Sequence, residues 1–292
     1  MITESQWTNR LSLSPHTNMR KVIDVSAFES EQLESFLRAS PANRAVLTDY
    51  AGLETFQRNG PQYIQRAFSM LKAYDNQVVV LNPTAHNSRL RPKRKGIESR
   101  LIDERSTKGF RTFVQHLEEL ISSRDSRALE QLEAKRRKAV AQMDRLLADV
   151  TKLNHPRDGI LAIGLNYPPE LLDAIRARRP LPPDFHETAA SHVLQITRAT
   201  MDKLFPGVKL AVEDVFYSFP FRFNLAMYSM NFFWTATGDV TTAPAKKVRN
   251  DATDMTYVAY ATFFDGIITD DSKLAAAYNL TKGFLRTVFR VE

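Results

Sequence analysis

Three short apolar runs constrain this chain more than any other feature. Residues 45–47 (Ala-Val-Leu) end at Thr48 and Asp49. Residues 78–81 (Val-Val-Val-Leu) are followed by Asn82 and Pro83. Residues 266–269 (Gly-Ile-Ile-Thr) run into Asp270 and Asp271. Each run is continuous rather than alternating, which suits a strand buried on both faces. Strands of that kind belong to a parallel sheet covered by helices on either side. The expected fold class is therefore α/β with a parallel sheet.

The segments between the runs read as helices. SAFESEQLESFLRAS carries Ser26 as a cap and Phe28, Leu33 and Leu37 as its apolar positions. A helix follows Tyr50 with Leu53 and Phe56 inward, and another over 61–74 carries Ile64, Phe68 and Leu71. Residues 1–25 are polar and irregular, the pattern of an arm. From Lys108, the residues Phe110, Phe113, Val114, Leu117, Leu120 and Ile121 recur at helical spacing. Leu129 to Leu153 keep a near-heptad spacing broken at Arg136, so the two segments suggest an antiparallel helical hairpin. Residues 208–238 are apolar and aromatic, predicting one or two buried helices with a break near Pro220. The sheet elements lie toward the two ends. The expected organisation is an arm and short helix over 1–40, then a domain over 41–292 with a helical insertion at about 86–206.

With 40 Lys and Arg against 33 Asp and Glu, the net charge is +7, a balance that favours polyanionic partners. Cysteine is absent, which removes disulfides and thiolate metal sites and fits a reducing cytoplasm. The six histidines show no zinc spacing, and no glycine-rich phosphate loop is present. No apolar run reaches membrane-spanning length, and the first ten residues hold no apolar signal core, so no membrane partner is expected.

Against the basic background, acids gather at element ends. Asp49 and the Asp270–Asp271 pair each follow an apolar run, while Asp251 and Asp254 open a helix ahead of the last one. Each taken alone suits a helix cap or a favourable charge at a helix start. Taken together, parallel neighbouring strands would bring them to one sheet edge. Carboxylates crowded there repel one another, and a divalent metal relieves the repulsion.

The order of these pieces resembles a PIN-domain nuclease. VLTD supplies Asp49, DMTYVAYA supplies Asp254, and GIITDD supplies Thr269 and Asp271 in the last acidic place. The resemblance spans roughly 44–81 and 246 to the end. It implies a parallel α/β/α sandwich of PIN type, a Mg²⁺ or Mn²⁺ ion, and cleavage of RNA by metal-activated water; many relatives are toxins or antiphage defence nucleases. The residues it points to as catalytic are Asp49, Asp254, Asp271 and a glutamate, with Glu54 favoured over Glu98 and Glu213. The ion would be held by Asp49, Asp254 and Asp271 with Asp251. Thr269 would orient a ligand or water, and Lys246, Lys247 and Arg249 would contact substrate phosphates. The chain is about twice the length of a minimal PIN domain, which makes the helical block an insertion.

Other readings stay open beside this one. RPKRK and KRRK extend a nucleic-acid track or form solvated faces. The aromatics of FYSFPFRF and MNFFW belong to a core more readily than to a base-stacking surface. Arg222, inside that apolar stretch, needs a partner, and an acidic site would supply one. A second function class is a catalytically inactive PIN-like scaffold that binds RNA or protein; a third is a phosphatase with an Asp nucleophile. Expected partners are RNA or single-stranded DNA, an inhibitor or partner protein, and a second copy of the chain through the hairpin.

Overall fold

Among the described residues, four short strands form one sheet: β1 (Arg20–Ile23), β2 (Arg44–Leu47), β3 (Val78–Val80) and β4 (Ile267–Ile268). In this computed structural model the described residues are 18–57, 61–122, 168–177, 184–237 and 245–291, with scattered positions over 127–141 and at 179. The strand order is β3-β2-β1-β4 and every pairing is parallel. Val22, Ile23, Ala45, Val46 and Ile268 are at most 1% exposed, as continuous apolar runs in a doubly covered sheet should be. The chain steps outward from β1 to β2 to β3, then returns to place β4 on the other side of β1. That reversal puts the switch point of the sheet between β1 and β4, and the carboxyl ends of the strands at such a point are where open parallel sheets form the crevice that takes up ligands.

β1 departs from the expected arm. Residues 20–23 sit between β2 and β4 and pair with both. Only Val22 and Ile23 are apolar there, too few for a sequence pattern, but pairing on both sides buries them completely. Residues 1–17 of that arm lie outside the described residues.

The helices are α1 (Glu31–Ala39), α2 (Asp49–Gln57), α3 (Pro61–Ala73), α4 (Thr84–Asn87), α5 (Ile97–Leu101) and α6 (Glu104–Ser122), then α7 (Pro169–Arg176), α8 (Phe185–Leu204) and α9 (Val212–Val215). The last three are α10 (Phe219–Thr237), α11 (Ala245–Ala261) and α12 (Ser272–Thr287). The cap of α1 is Ser30, which accepts from the Leu33 amide at 3.2 Å, rather than Ser26, which lies in a short 3-10 turn. Thr48 caps α2 by accepting from the Ala51 amide at 3.1 Å. α10 begins at Phe219, so Pro220 sits in its first turn, where a missing amide hydrogen is harmless, and no break follows.

α3 and α6 pack together beside β3, with the rings of Phe68 and Phe110 edge to face at 6.2 Å and an ion pair between Lys72 and Glu118. α11 lies along β1 and β4 under α10 and α12. The arrangement is compatible with a three-layer α/β/α sandwich. Ile97, Leu101, Phe110, Val114 and Leu117 fall inside the span 86–206 expected as an insertion, yet they share the core of the sheet. α5 and α6 are thus part of the main body. A second apolar cluster joins α7 and α8 to α10 and α12 through Leu171, Phe185, Val193, Phe221, Tyr228 and Phe284. The second arm of the expected hairpin, 129–153, lies largely outside the described residues.

Arg222 on α10 is 2% exposed. Its partners are not the acids expected from the sequence. Nε donates to the Phe216 carbonyl at 2.8 Å and a terminal nitrogen reaches the Thr262 carbonyl at 3.5 Å. The rings of Phe263 and Tyr217 lie 5.0 and 5.9 Å away, in cation–π range. Burial lowers its pKa to about 10, so it stays charged at neutral pH. Arg222→Ala removes the stem packing and leaves both carbonyls without a donor, an expected loss of about 3 kcal/mol. Arg222→Met keeps the packing and should lose less than half of that. Urea midpoints of the two variants check the difference.

Candidate functional site at the sheet crevice

The first acid of the crevice is one the sequence reading passed over. Asp24 directly follows β1 and is 8% exposed. Its amide donates to the Ile268 carbonyl at 3.0 Å, extending the β1–β4 pairing by one residue. Its carboxylate accepts from the Thr269 hydroxyl at 2.7 Å and from the Ser26 hydroxyl. Thr269 in turn accepts from the Asp271 amide at 3.0 Å, and Ser26 accepts from the Asp270 amide at 3.1 Å. Two hydroxyls therefore staple the ends of β1 and β4 across the crevice. They fix where Asp24 and Asp271 stand. Asp271 is also the cap of α12, accepting from the amides of Lys273 at 2.8 Å and Leu274 at 3.2 Å.

From the other side comes α11, which carries Asp251, Asp254 and Tyr257 at three-residue steps on one helical face. Asp254 is half-buried. Burial, and then the negative charges of Glu54, Asp24, Asp251 and Asp271 in that order, raise its pKa to about 8. So α2, the end of β1 and the β4–α12 corner each bring a carboxylate near enough for its charge to act on Asp254 of α11. The buried Tyr257 borders the same region: burial and then the charges of Glu54, Asp24 and Asp254 push its phenol well above the usual value. Asp251 is tied to Lys273 by an ion pair, and the Lys273 ammonium lies 4.9 Å from the Trp234 ring.

Asp49 has another occupation. Its carboxylate accepts from the Thr84 amide at 2.8 Å, the Thr84 hydroxyl at 2.7 Å and the Tyr50 amide at 3.1 Å. The Tyr260 hydroxyl donates to Thr84 at 3.1 Å, and the Asn87 amide donates to Tyr260 at 3.0 Å. This donor chain ties α2, α4 and α11 together at the far end of the sheet edge. Burial raises the Asp49 pKa more than these bonds lower it. It is not among the four acids acting most strongly on Asp254.

Of the three glutamates weighed, Glu54 exerts the largest charge effect on Asp254. Glu98 forms an ion pair with Arg20, at the opposite end of β1 from Asp24, and Glu213 lies on the short helix α9. Lys246, Lys247 and Arg249 fall in the first turns of α11, which starts six residues before Asp251. Lys247 is exposed with its ammonium 5.6 Å from the Trp234 ring. The side chains of Lys246 and Arg249 lie outside the described residues.

The donor set is all oxygen and all acidic, which is the chemistry of a hard divalent cation. The spacing is looser than the chemistry: among the described residues, no three His, Cys, Asp or Glu side chains stand close enough together to grip one ion. No described helix is long and apolar enough to cross a membrane. No family model, curated protein or solved structure matches this chain.

Proposed function

We propose that this protein is a Mg²⁺- or Mn²⁺-dependent nuclease of PIN-like type that hydrolyses RNA, or single-stranded DNA, in the β1–β4 crevice. The observation that carries the reading is the position of Asp254. Burial first, and then the charges of four further acids, three from other parts of the fold and Asp251 from its own helix, raise its pKa to about 8. A folded protein gains nothing in stability from gathering like charges at a buried place. Such a group has a use when a cation or a proton is handled there.

Asp24, Asp254 and Asp271, which stand apart in this structure, would have to draw together to hold the ion, with Glu54 and Asp251 around them. Asp24 takes the place that the sequence pattern offered to Asp49. A bound divalent ion supplies water of lowered pKa at neutral pH and neutralises charge on a phosphodiester. Thr269, fixed between Asp24 and the Asp271 amide, holds two of the carboxylates in register. Lys273 is positioned to release Asp251 toward the ion and to meet a phosphate oxygen. Lys247 is exposed beside the same Trp234 ring and would meet the strand further out.

A second reading is favoured by one observation. Asp251 is already neutralised by Lys273, and the described carboxylates do not converge. A non-cutting RNA- or protein-binding scaffold of the same fold would look this way. Cleavage of mixed RNA and single-stranded DNA separates the two. The nuclease cuts with Mn²⁺ or Mg²⁺, stops with EDTA, and loses at least about a hundredfold in rate in Asp254→Asn. Binding of RNA without cutting under any of these conditions selects the scaffold. The toxin or antiphage setting implied by the resemblance belongs to this proposal and is tested by growth arrest on expression of wild type but not Asp254→Asn.

A further inference from the structure

The most basic segment of the chain does not join the acid crevice. Arg91, Lys93 and Lys95, with Arg100 from α5, line a separate cleft of about 550 Å³ whose remaining walls are Pro92 and Asp214. It shares no lining residue with the acids around Asp254. Four cations face one carboxylate there.

The loop that carries them is held in shape. Pro92 is buried. The Arg94 amide donates to the Asp214 carboxylate at 3.3 Å, and the Arg94 guanidinium turns away to lie 5.6 Å from the Tyr217 ring. Arg100 donates to the Arg91 carbonyl at 2.8 Å, closing the loop on α5. Gly96 takes a left-handed φ of 70°, which lets the chain turn sharply from Lys95 into α5. Because the backbone is pinned at these points, Arg91, Lys93 and Lys95 are held on one concave wall. A solvated tail would leave like charges free to spread apart; a pinned loop keeps them crowded, and crowded cations favour a multiply charged anion.

We propose that this cleft binds the phosphate backbone of a single-stranded nucleic acid, as an anchor distinct from the place of cleavage. The proposal rests on the protein acting on nucleic acid, but not on its cutting it. The shape favours a strand over a small anion. The cleft is open, Arg91, Lys93 and Lys95 are exposed at its wall, and its volume exceeds what one phosphate fills. Asp214 opposes a ligand that is anionic throughout and accepts a hydrogen bond from a sugar hydroxyl or base amine, which a strand presents between its phosphates.

The test uses the full chain with a fluorescein-labelled twelve-nucleotide oligouridylate in EDTA, so that binding is read without cutting. Lys93 and Lys95 are exposed, and Lys93→Glu/Lys95→Glu should melt as wild type does. Its affinity should fall at least about tenfold, and the slope of log K against log salt should shrink by about 1 to 1.5. Lys93→Arg/Lys95→Arg should keep both. Wild-type affinity or an unchanged salt slope in the charge-reversed variant overturns the proposal, as does a wild type that binds no oligouridylate. Displacement of the RNA by polyglutamate as readily as by unlabelled RNA also overturns it, since the cleft would then be reading charge rather than a phosphate strand. If no metal-dependent cleavage occurs but the charge-reversed variant loses RNA binding, the nuclease reading falls and the anchor stands. Cleavage with unaltered binding gives the reverse.

Discussion

Asp254→Asn should make the metal-free protein more stable at pH 8 and, on the nuclease reading, abolish cleavage. Burial and the neighbouring acids push the folded carboxyl up to about 8, from an ordinary value of 3.8. Between those values the folded state binds a proton that the unfolded state has released. The stability of the wild type therefore declines as pH climbs from about 4 to about 8. The full shift corresponds to at most about 6 kcal/mol. Water entry and the nearby Lys273 ammonium relieve part of it, so a gain of about 2 kcal/mol is expected for the uncharged variant. In a chain of this length that is about 3 °C in Tm. Two comparisons check the cause. At pH 4 wild type and variant should melt nearly together, and 5 mM Mn²⁺ should raise the wild type toward the variant at pH 8. A variant that melts lower at pH 8 would show that Asp254 makes an attractive contact that outweighs the repulsion, and would remove the main support for an ion site.

The second large effect is a contrast between two aspartates at the ends of neighbouring strands. Asp49→Ala leaves the Thr84 amide and hydroxyl without their acceptor, and the chain through Tyr260 to Asn87 loses its end point. Each unsatisfied group costs about 1 kcal/mol or more, partly offset by removing a carboxylate whose burial is itself unfavourable. The expected result is a loss of about 2 kcal/mol in urea, with cleavage per folded molecule retained within about threefold. Asp24→Asn should do the opposite. Its amide oxygen still accepts from Thr269, so the melting temperature moves by no more than about 2 °C, while metal-dependent cleavage falls at least about a hundredfold. If Asp49→Ala were the variant that stopped cleavage at full stability, the ion would belong at the β2 end rather than in the β1–β4 crevice.

The contrast also marks where sequence pattern and space part company. VLTD and GIITDD are visible because two or three apolar residues run into Thr and Asp. RKVID follows the same rule, with Val22 and Ile23 running into Asp24, but Arg20 and Lys21 before it give the segment a polar cast. Those long side chains reach outward, with the Arg20 guanidinium paired to Glu98 and the Lys21 ammonium over the Phe36 ring at 5.1 Å, while the backbone between them is innermost. A polar side chain at the mouth of a strand does not prevent its neighbours from being buried. That is why one of the two inner strands is the one whose composition announces it least.

Much was legible from local chemistry. Continuous apolar runs require burial on both faces, and a parallel sheet covered by helices provides it; β2, β3 and β4 appear where those runs lie. The amphipathic spacing from Phe110 to Leu120 forms a helix that buries those residues. Asp251, Asp254 and Glu54 were recognisable as helix-borne acids, and Asp271 as the residue after the last strand. The sequence by itself determined the class of fold and the kinds of group available, because periodicity and burial are short-range demands that each segment must meet alone. Only the tertiary structure decided which carboxylates share a crevice. Strand order 3-2-1-4 puts β1 beside β4, so Asp24 faces Thr269 across 245 residues of chain while Asp49, one strand further out, turns to Thr84. Proximity at a sheet edge depends on which strands are neighbours, and strand neighbours are chosen by the packing of the whole core.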